Sequence, residues 1–505
     1  MLLVAALAIG LRVLPGTRTI DDAYITYRYA RNMAEGIGFV YNPGEHVLGT
    51  TTPLYTLIMA LWGLIGGSQT IPLFSAILNA LADGASAALL YWLGRQLLGH
   101  PLPGVVLGVL WAVAPRSVTF AIGGMETSLY VLVILAAFSA WLAGQSGRAA
   151  IFMALGVLLR PDALIWVGPL GLAMVAEAWL AGRNQPPLRR LPWREGMTFL
   201  ALILPWLVYG TLTFGSPLTN SIAAKHAAYP VAPTTSLLIF LAYYGIPFFE
   251  SETLGTAGAL IGSALYPTLA LIGGGALART DRRAVPLVAF PWLYFATYAL
   301  ANPPFFHWYM VPPTPAYLLC IAAGVWTLAG RRRDGVAQRW AIGIAGLAWL
   351  AFSLRAWVLH PDHGPDRPAP RMARIDLELT YAQAAQSLLP VVDEDTVLAV
   401  GDIGVIGWIT RARILDTVGL VSPESSAYYP IDPSMLATRN YAVAPDLIAD
   451  ALPDYVVILE TYGRNGLLKD PRFARTYRLR QRIATDIYGS DGMLIFERVD
   501  PPVEG

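Results

Sequence analysis

The stretch TIDDAYITYRYARN, from Thr19 to Asn32, places two adjacent carboxylates, Asp21 and Asp22, directly after an apolar N-terminal segment. The rest of the chain avoids charge. Of its 505 residues, 55% are hydrophobic and 14% are charged, whereas soluble globular proteins contain about 25% charged residues. With a mean hydropathy of +0.51, this composition indicates a membrane protein. The net charge of +1 indicates neither a nucleic-acid nor an acidic partner.

The sequence predicts a mostly α, polytopic membrane fold, because a membrane-spanning helix takes about 20 apolar residues and about eleven segments approach or exceed that length. These segments lie approximately at 1–14, 71–94, 101–115, 127–144, 148–160, 162–182, 196–213, 256–278, 284–301, 309–329 and 338–358. The single Cys320 lies inside one of them and is expected to pack in the core.

The distribution of arginines predicts the orientation of the chain. Three Arg-rich loops, at 183–195, 279–283 and 331–339, are separated by even numbers of predicted spans, and the positive-inside rule places all three in the cytoplasm. This orientation puts the N-terminus in the cytoplasm and two long loops, 16–70 and 214–254, on the outer face. It also requires PLYTLIMALWGLIGG, residues 53–67, to lie on the membrane surface as an interfacial helix rather than to cross it.

The N-terminal segment has no basic region and no small-x-small cleavage site, so it is predicted to be an uncleaved anchor. It is also short. Arg12 is therefore expected to snorkel towards one face of the membrane, unless the natural N-terminus is longer.

The composition changes after the Pro-rich linker HPDHGPDRPAPR, residues 360–371, where helix-like and strand-like segments begin to alternate. We predict a transmembrane catalytic domain over 1–360 and an extracytoplasmic, soluble α/β domain over 361–505. Glycines 401, 404 and 407 follow a predicted strand, but their spacing differs from the dinucleotide-binding GxGxxG pattern. A glycine turn is predicted there instead.

Asp21 and Asp22 have two interpretations. An Asp at the start of a helix caps free backbone N–H groups, an interaction that contributes about 1 kcal/mol. Capping needs only one carboxylate, however, and the second has no local structural role. Together with Arg28, Arg31 and Glu45, the pair forms a polar cluster beside apolar segments. This pattern favours a catalytic or ligand-binding role for at least one of the two acids.

Further polar residues on the predicted outer face are candidates for contacts with a phosphate, a sugar or another part of a substrate. These are Glu126, Arg160, Asp162, Asn220, Ser221, Lys225, His226 and His307. Each also has a structural explanation, such as helix capping for Glu126 or a turn ion pair between Arg160 and Asp162. Asp83, in the middle of a span, is left unassigned.

The sequence contains no HExxH, CxxC, P-loop or GxSxG motif. The first-loop acids are adjacent rather than spaced as DxD, which argues against an essential divalent metal there. No cofactor is predicted.

The first-loop stretch DDAYITYRYARNMAEGIGFVYNPGEHVLGTTTPLYTL, residues 21–57, closely resembles that of GT-C class membrane glycosyltransferases. The nearest pattern is that of the terminal arabinofuranosyltransferases of mycobacterial cell-wall synthesis. Supporting pieces follow in order, namely GGMETSLY (123–130), LLRPDALIW (158–166), FGSPLTNSIAAKH (214–226), HWYMVPPTPAY (307–317) and GDIGVIGWITRARILDTVGLVSP (401–423).

This resemblance implies a GT-C fold and an inverting glycosyltransferase that takes its sugar from a polyprenyl phosphate in the membrane. It favours arabinofuranose, as in decaprenyl-phosphate-arabinose, with mannose or another sugar as alternatives, and a cell-envelope glycan, lipid or protein as acceptor. The family's catalytic acid maps onto Asp21 and Asp22 without choosing between them. Arg28, Arg160, Lys225 or His307 would stabilise the departing phosphate.

Two other functions fit many spans with polar outer loops. One is a transporter or flippase of polyprenyl-linked sugars, although paired broken helices, which transporters usually show, are not visible in the sequence. The other is a non-catalytic membrane protein that binds envelope glycans. In each case the expected location is a bacterial plasma membrane.

Overall fold

The computed structural model describes residues 1–182, 186–330, 335–437 and 440–499. Each apolar segment predicted from the sequence contains a helix. Among the described residues the α-helices are α1 Leu2–Val13, α2 Asp21–Ala34, α3 Pro53–Gly66, α4 Ile71–Leu98, α5 Pro101–Val113, α6 Pro115–Ile122, α7 Thr127–Leu142, α8 Ser146–Leu159, α9 Leu164–Ala181, α10 Trp193–Phe214, α11 Ser221–Ala228, α12 Thr235–Gly245, α13 Ser251–Thr280, α14 Val285–Ala301, α15 Thr314–Ala329, α16 Val336–Arg355, α17 Asp376–Leu388, α18 Gly404–Thr410, α19 Pro445–Ala451, α20 Glu460–Gly463 and α21 Pro471–Thr476.

The strands are β1 Trp357–Val358, β2 Ala369–Pro370, β3 Val397–Val400, β4 Arg413–Asp416, β5 Tyr455–Leu459, β6 Tyr477–Ile483 and β7 Met493–Arg498. The last five form one mixed sheet in the order β4-β3-β5-β7-β6, in which β3 pairs parallel with β4 and β5. Strand β7 pairs antiparallel with both β5 and β6. All five residues of β5, YVVIL, are buried, as expected for a central strand. The predicted C-terminal α/β fold is confirmed.

The helices are those of a multi-pass membrane protein. Six helices of the described chain are long and apolar enough to span a membrane, and a seventh span results if α5 and α6, bent by 49°, are counted as one. The bend coincides with Pro115, which ends the helical hydrogen bonding of α5. The number of spans, about eleven, and their orientation stay predictions. Parts of two Arg-rich loops on which the orientation rests, 183–185 and 331–334, lie outside the described residues.

Contacts within the chain divide it into two compact units. Unit 1 comprises Met1–Arg18, Ser75–Val208 and Pro233–Ala373. Unit 2 comprises Thr19–Phe74, Tyr209–Ala232 and Arg374–Gly505. The C-terminal sheet therefore belongs to the same unit as α2, α3 and α11, which lie in the two predicted outer loops. The predicted division of the chain at residue 360 stays a prediction.

Small residues bring α13 and α15 of unit 1 into close contact. A Cβ atom at Gly273 would overlap the backbone oxygen of Cys320, and one at Gly324 would overlap that of Leu269. Backbones this close gain van der Waals contact, the usual basis of helix association where no hydrophobic driving force acts. Cys320 is fully buried at this contact, as expected for a packing residue.

The expectation that Arg12 snorkels is wrong. Its side chain is buried in unit 1, and its Nε donates to Oδ2 of Asp83 at 2.8 Å. The Arg12 guanidinium also donates to the hydroxyl of Ser117 at 2.7 Å and to the backbone oxygen of Trp111 at 3.1 Å. Ser128 donates a further hydrogen bond to Oδ2 of Asp83. Arg12, in the last turn of α1, and Asp83, in the middle of α4, thus neutralise each other, which explains a charge in each apolar helix.

Helix α3 of unit 2 has one buried and one exposed apolar face. Tyr55 and Met59 are buried, whereas Leu61, Leu64 and Ile65 are exposed. The exposed apolar face is one that lipid would cover, and the interfacial position of α3 stays a prediction.

Replacing Arg12 alone should destabilise the protein. Arg12→Met leaves the Asp83 carboxylate buried without its ionic partner, and we expect a loss of about 3–5 kcal/mol, seen as a lower midpoint of thermal unfolding in detergent micelles. The double variant Arg12→Met/Asp83→Leu removes both charges and should recover most of that loss. A single variant as stable as the wild-type protein would contradict the ion pair.

Candidate functional site

Asp21 and Asp22 occupy the first turn of α2, but their side chains have different surroundings. Asp21 is buried, and its two carboxylate oxygens accept hydrogen bonds from the backbone N–H groups of Gly404 at 2.8 Å and Val405 at 2.7 Å. These are the first two residues of α18. The interpretation of this acid as a cap of its own helix is therefore wrong: the N-cap of α2 is Ile20, which makes no side-chain cap, and Asp21 caps α18 instead.

Asp22 is more accessible. Its side chain is 31% exposed, and its Oδ2 lies 3.4 Å from Nζ of Lys225, whose side chain is 19% exposed. Lys225 projects from α11, which lies in the predicted second outer loop. The structure therefore brings together two of the candidates that are about two hundred positions apart in the sequence. A partly exposed carboxylate beside a cation is able to reach a substrate hydroxyl.

Two further acids that sequence reasoning missed lie near Asp21. Oε1 of Glu378, on α17, accepts the backbone N–H of Asp21 at 3.2 Å. Asp402 accepts a hydrogen bond from the Tyr381 hydroxyl at 2.8 Å. Burial, followed by the negative charge of Asp402, raises the pKa of Asp21 well above its ordinary value, and the two backbone N–H donors oppose this shift only in part. Burial also raises the pKa of Glu378, to about 7.

Arg28, a predicted phosphate contact, donates to protein acceptors in this structure. Its guanidinium is buried and donates to the backbone oxygens of Tyr41 at 2.9 Å, Gly407 at 2.9 Å and Ala412 at 2.8 Å. It also lies 4.3 Å from the centre of the Tyr41 ring. This geometry favours a structural role, in which Arg28 holds α2 against the backbone around α18.

The glycines at 404 and 407 do not form the predicted turn, because both lie in α18. An added Cβ atom at Gly404 would overlap the backbone oxygen of Asp21 and lie 2.8 Å from Oδ2 of the same residue. At Gly407, a Cβ atom would overlap the Tyr41 hydroxyl and lie 2.6 Å from Nη1 of Arg28. The glycine spacing therefore serves close helix packing. The sequence favoured a turn because it does not show which helix packs against these glycines.

Asn220 and Ser221, predicted contacts of the second outer loop, are bonded to other loops of unit 2. The Asn220 side chain donates to the backbone oxygens of Gly419 at 2.7 Å and Leu420 at 3.1 Å. The Ser221 hydroxyl donates to the backbone oxygen of Gly49. His226 is exposed on α11. These bonds fix the segment from which Lys225 projects.

Asp416 organises the loop that Asn220 contacts, and sequence reasoning did not single it out. It is fully buried at the end of β4, and its oxygens accept from the backbone N–H groups of Val418 at 2.8 Å and Val421 at 3.1 Å. Burial raises its pKa to about 6, against the effect of these bonds. An acid directly after a strand was the available signal.

Glu126, Arg160 and Asp162 form one buried network in unit 1. Arg160 donates to Oδ1 of Asp162 at 3.0 Å and to Oδ2 at 2.9 Å, and its third nitrogen donates to Glu126 at 3.1 Å. The hydroxyls of Tyr294 and Tyr298 donate to Oδ2 of Asp162 at 2.9 and 3.0 Å. The bidentate geometry is that of a strong ion pair. It favours the structural explanation of this group over contact with a phosphate.

His307 lies in unit 1 beside a cation that sequence reasoning missed. The His307 ring shares a hydrogen bond with the hydroxyl of Tyr243. The guanidinium carbon of Arg116 lies 3.9 Å from the centre of the Tyr243 ring and 4.4 Å from that of Phe249. A partly exposed Arg at the start of α6, held between two aromatic rings, is a candidate for anion binding.

No group of three or more His, Cys, Asp or Glu side chains able to hold a metal ion occurs in the described part of the chain. Metal dependence stays a prediction.

Comparisons with known proteins agree with this architecture. Residues 372–496 match a family described as a domain of unknown function, DUF8728. The terminal β-(1→2)-arabinofuranosyltransferase of Mycobacterium tuberculosis is 27% identical over 183 residues, 32% of this chain and 28% of that protein. This chain therefore spans little more than a quarter of the relative's length.

Two crystal structures of ArnT from Cupriavidus metallidurans match nearly the whole chain. The structure bound to undecaprenyl phosphate has a TM-score of 0.59 and 12% sequence identity, covering 99% of this chain and 97% of that one. The apo structure has a TM-score of 0.57 at 12% identity, covering 98% and 96%. The chain has a GT-C fold. The predicted resemblance to GT-C membrane glycosyltransferases is confirmed at the level of the fold.

Glu378 should make the stability of this GT-C protein depend on pH. Its pKa is about 7 when folded against an ordinary value of 4.5, so the folded state keeps a proton that the unfolded chain releases. The stabilisation from this bound proton is complete below the ordinary pKa of 4.5, and it is lost as the pH rises through the folded-state pKa of about 7. Glu378→Gln removes this titration and should flatten the fall in unfolding temperature between about pH 4.5 and 7.

Asp416 remains in that variant, so the fall should be reduced rather than abolished. Glu424→Gln, the same change at an exposed position of unit 2, is the matched control and should follow the wild-type curve. Identical pH profiles for Glu378→Gln and the wild-type protein would contradict the raised pKa of Glu378 in the folded state.

Proposed function

We propose that the protein is an inverting glycosyltransferase that moves a sugar from a polyprenyl-phosphate donor to an acceptor hydroxyl on the outer face of the membrane, with Asp22 as general base. The observation that carries the proposal is the different placement of the two first-loop acids in a chain with a GT-C fold. Asp21 is bonded through both oxygens, whereas Asp22 is partly exposed beside Lys225. Only Asp22 combines access with an adjacent cation.

The reaction that this arrangement supports is a single displacement. The acceptor hydroxyl transfers its proton to Oδ1 or Oδ2 of Asp22 while its oxygen bonds to the anomeric carbon of the sugar. The bond between that carbon and the phosphate oxygen breaks, and the electron pair leaves with the polyprenyl phosphate. One base and one displacement invert the anomeric centre without a covalent intermediate. Proton transfer to a positioned base contributes about 10²- to 10⁴-fold in rate.

Lys225 has a positioning role in this proposal. At 3.4 Å its ammonium group holds the Asp22 carboxylate in one orientation. Holding a base in place in this way reduces the entropy lost when the acceptor binds.

The donor phosphate requires cations, and the structure narrows the candidates. Arg28 and Arg160 donate to protein acceptors in their respective units. Lys225 and His307 have more exposed side chains. Arg116, held between two aromatic rings near His307, joins them as a candidate. The ArnT structure with undecaprenyl phosphate supports a lipid-phosphate donor for this fold.

Arabinofuranose is the favoured sugar, with mannose or another sugar as alternatives. The first-loop resemblance and the match to an arabinofuranosyltransferase support this choice. The proposed acceptor is a cell-envelope glycan, lipid or protein. The proposed location is a bacterial plasma membrane with the N-terminus in the cytoplasm and the C-terminal domain outside.

Asp22→Asn should abolish most of the turnover while leaving lipid binding intact. Purified full-length protein would be incubated with a panel of polyprenyl-phosphate sugars, including arabinofuranose and mannose, and released polyprenyl phosphate would be measured. We expect kcat to fall about 10²- to 10⁴-fold, because the acceptor proton has no base, and binding of polyprenyl phosphate to be retained.

Asp376→Asn, at a partly exposed acid of α17 that pairs with Arg374 in the same unit, is the matched control and should retain wild-type turnover. Full activity of Asp22→Asn would exclude Asp22 as the base. Movement of the lipid-linked sugar across the membrane without release of lipid phosphate would favour a flippase. Glycan binding that is indifferent to both first-loop acids would favour a non-catalytic protein.

A further inference from the structure

The matched domain of unknown function holds the first loop through the residue next to Asp22. The carboxylate of Asp21 accepts two N–H groups of α18, at 2.8 and 2.7 Å. The backbone N–H of the same Asp21 donates to Glu378 of α17 at 3.2 Å. The side chain and the backbone of Asp21 are therefore both fixed by the domain, and the peptide that carries Asp22 follows directly.

Two arginines extend this contact along α2. Arg28 donates to the backbone oxygens of Gly407 and Ala412 at 2.9 and 2.8 Å. Arg31 donates to the backbone oxygen of Trp408 at 2.7 Å and lies 4.5 Å from the centre of the Trp408 ring. Both arginines donate to backbone oxygens of α18, and Arg28 also donates to that of Ala412, the residue before β4. The bonds fix the position of α18 along α2 as well as its distance from it.

The segment after α2 is tied to the edge strand of the sheet. The Asn42 side chain accepts the backbone N–H of Ile414 at 3.0 Å and donates to the backbone oxygen of the same residue at 2.9 Å. Glu45 pairs with Arg413 at 2.5 Å, and Glu35 pairs with Arg411 at 3.1 Å. The first loop is thus held at its start, middle and end by one stretch of the domain.

The polar contact between the first loop and the domain is not the one that would give the greatest stability. Asp21 is a buried carboxyl group and Glu378 a partly buried one, and removing a carboxylate from water costs free energy that an apolar pair would not cost. Buried polar bonds have directions, however, and they set one orientation where apolar packing would allow several. Departures from simple packing rules of this kind are expected at functional sites.

We propose that the domain of unknown function, which matches residues 372–496, acts as a rigid mount for the general base, with Asp21 and Glu378 as positioning residues. This inference rests on the proposed function, in which Asp22 accepts the acceptor proton. It assigns the domain a role in the reaction rather than acceptor binding alone. Because α18 meets α2 backbone to backbone, Gly404 and Gly407 are required for the mount.

The two glycines allow a direct test in the full-length protein. Gly404→Ala and Gly407→Ala place a Cβ atom against Asp21 and against Tyr41 with Arg28, so α18 must move away from α2. A shift of about 1 Å can cost about 10²-fold in rate, and we expect kcat to fall by about that factor. KM for the lipid-linked donor and binding of polyprenyl phosphate should change little.

Gly463→Ala is the matched control. Gly463 is a buried helical glycine of the same unit, and its added Cβ atom would meet only the flexible side chains of Ile458, at 2.8 Å, and Leu468, at 3.0 Å. Its kcat should stay close to that of the wild-type protein.

Glu378 separates positioning from general stability. Glu378→Gln keeps an oxygen that accepts the N–H of Asp21, so its kcat should stay within about threefold of the wild-type value, whereas Glu378→Ala loses the bond and should lose about tenfold or more. Both variants would be measured at equal folded fraction, determined by size-exclusion chromatography. Rescue by the conservative variant is the result that a purely structural role would not give.

Two results would overturn the inference. If Gly404→Ala and Gly407→Ala fold and have the same kcat as Gly463→Ala, the distance between α2 and α18 is irrelevant to the reaction rate. Equal kcat in Glu378→Ala and Glu378→Gln would remove Glu378 as a positioning residue. In either case a dead Asp22→Asn variant would leave the proposed function standing.

Failure of the proposed function has a different signature. A wild-type protein that transfers no sugar from any donor, with Asp22→Asn indistinguishable from it, rejects that function. In that case, amide hydrogen exchange of residues 19–35 tests whether the domain holds α2 in place. Faster exchange in Gly404→Ala and Gly407→Ala than in Gly463→Ala supports the inference, and equal exchange rejects it.

Discussion

The contact between the Asp21 carboxylate and the first two N–H groups of α18 is the constraint on which the rest of unit 2 depends. A helix start offers unpaired N–H groups and a partial positive charge, so a buried carboxylate placed there satisfies both partners. The bond joins residues almost four hundred positions apart, and it requires a glycine at 404 so that the backbones can approach. Arg28, Arg31 and Asn42 then extend the same contact. The C-terminal domain and the first loop are consequently parts of one folded unit.

Much of the helical architecture could be predicted because it follows from local composition. A bilayer-spanning helix must be apolar over most of its length, and each apolar segment read from the sequence contains a helix. The first-loop motif pointed to the right fold, and its assignment of the catalytic role to Asp21 and Asp22 stays a prediction. The different environments of Asp21 and Asp22 could not be predicted, since they depend on α18 and α11, which are distant in sequence. The acceptors of Arg28 could not be predicted for the same reason, since they are backbone oxygens, which leave no signal in residue type.

Buried charges in unit 1 show a related pattern. Arg12 and Asp83 lie in helices that otherwise avoid charge, and each neutralises the other at 2.8 Å. Arg160 joins Asp162 and Glu126 in the same way, with two tyrosine hydroxyls completing the Asp162 shell. An ionisable residue within a span commonly marks function, but the ionisable residues of both groups are paired with other residues of unit 1. They join α1 to α4 and the start of α7 to α14, where apolar contacts alone would leave rotation about the helix axes less restricted.

Two adjacent carboxylates with different surroundings are a general way to obtain two roles from one residue type. Both oxygens of the buried Asp21 carboxylate accept backbone N–H groups, which leaves neither of them free for a substrate. Asp22 has the opposite surroundings, with partial exposure and a cation at 3.4 Å. The division depends on the order of the two residues along α2, because successive positions on a helix point about 100° apart. One therefore faces α18 and the other faces α11. In the proposed reaction the base Asp22 needs a fixed backbone, and the bonds of its neighbour Asp21 to α18 supply that anchor.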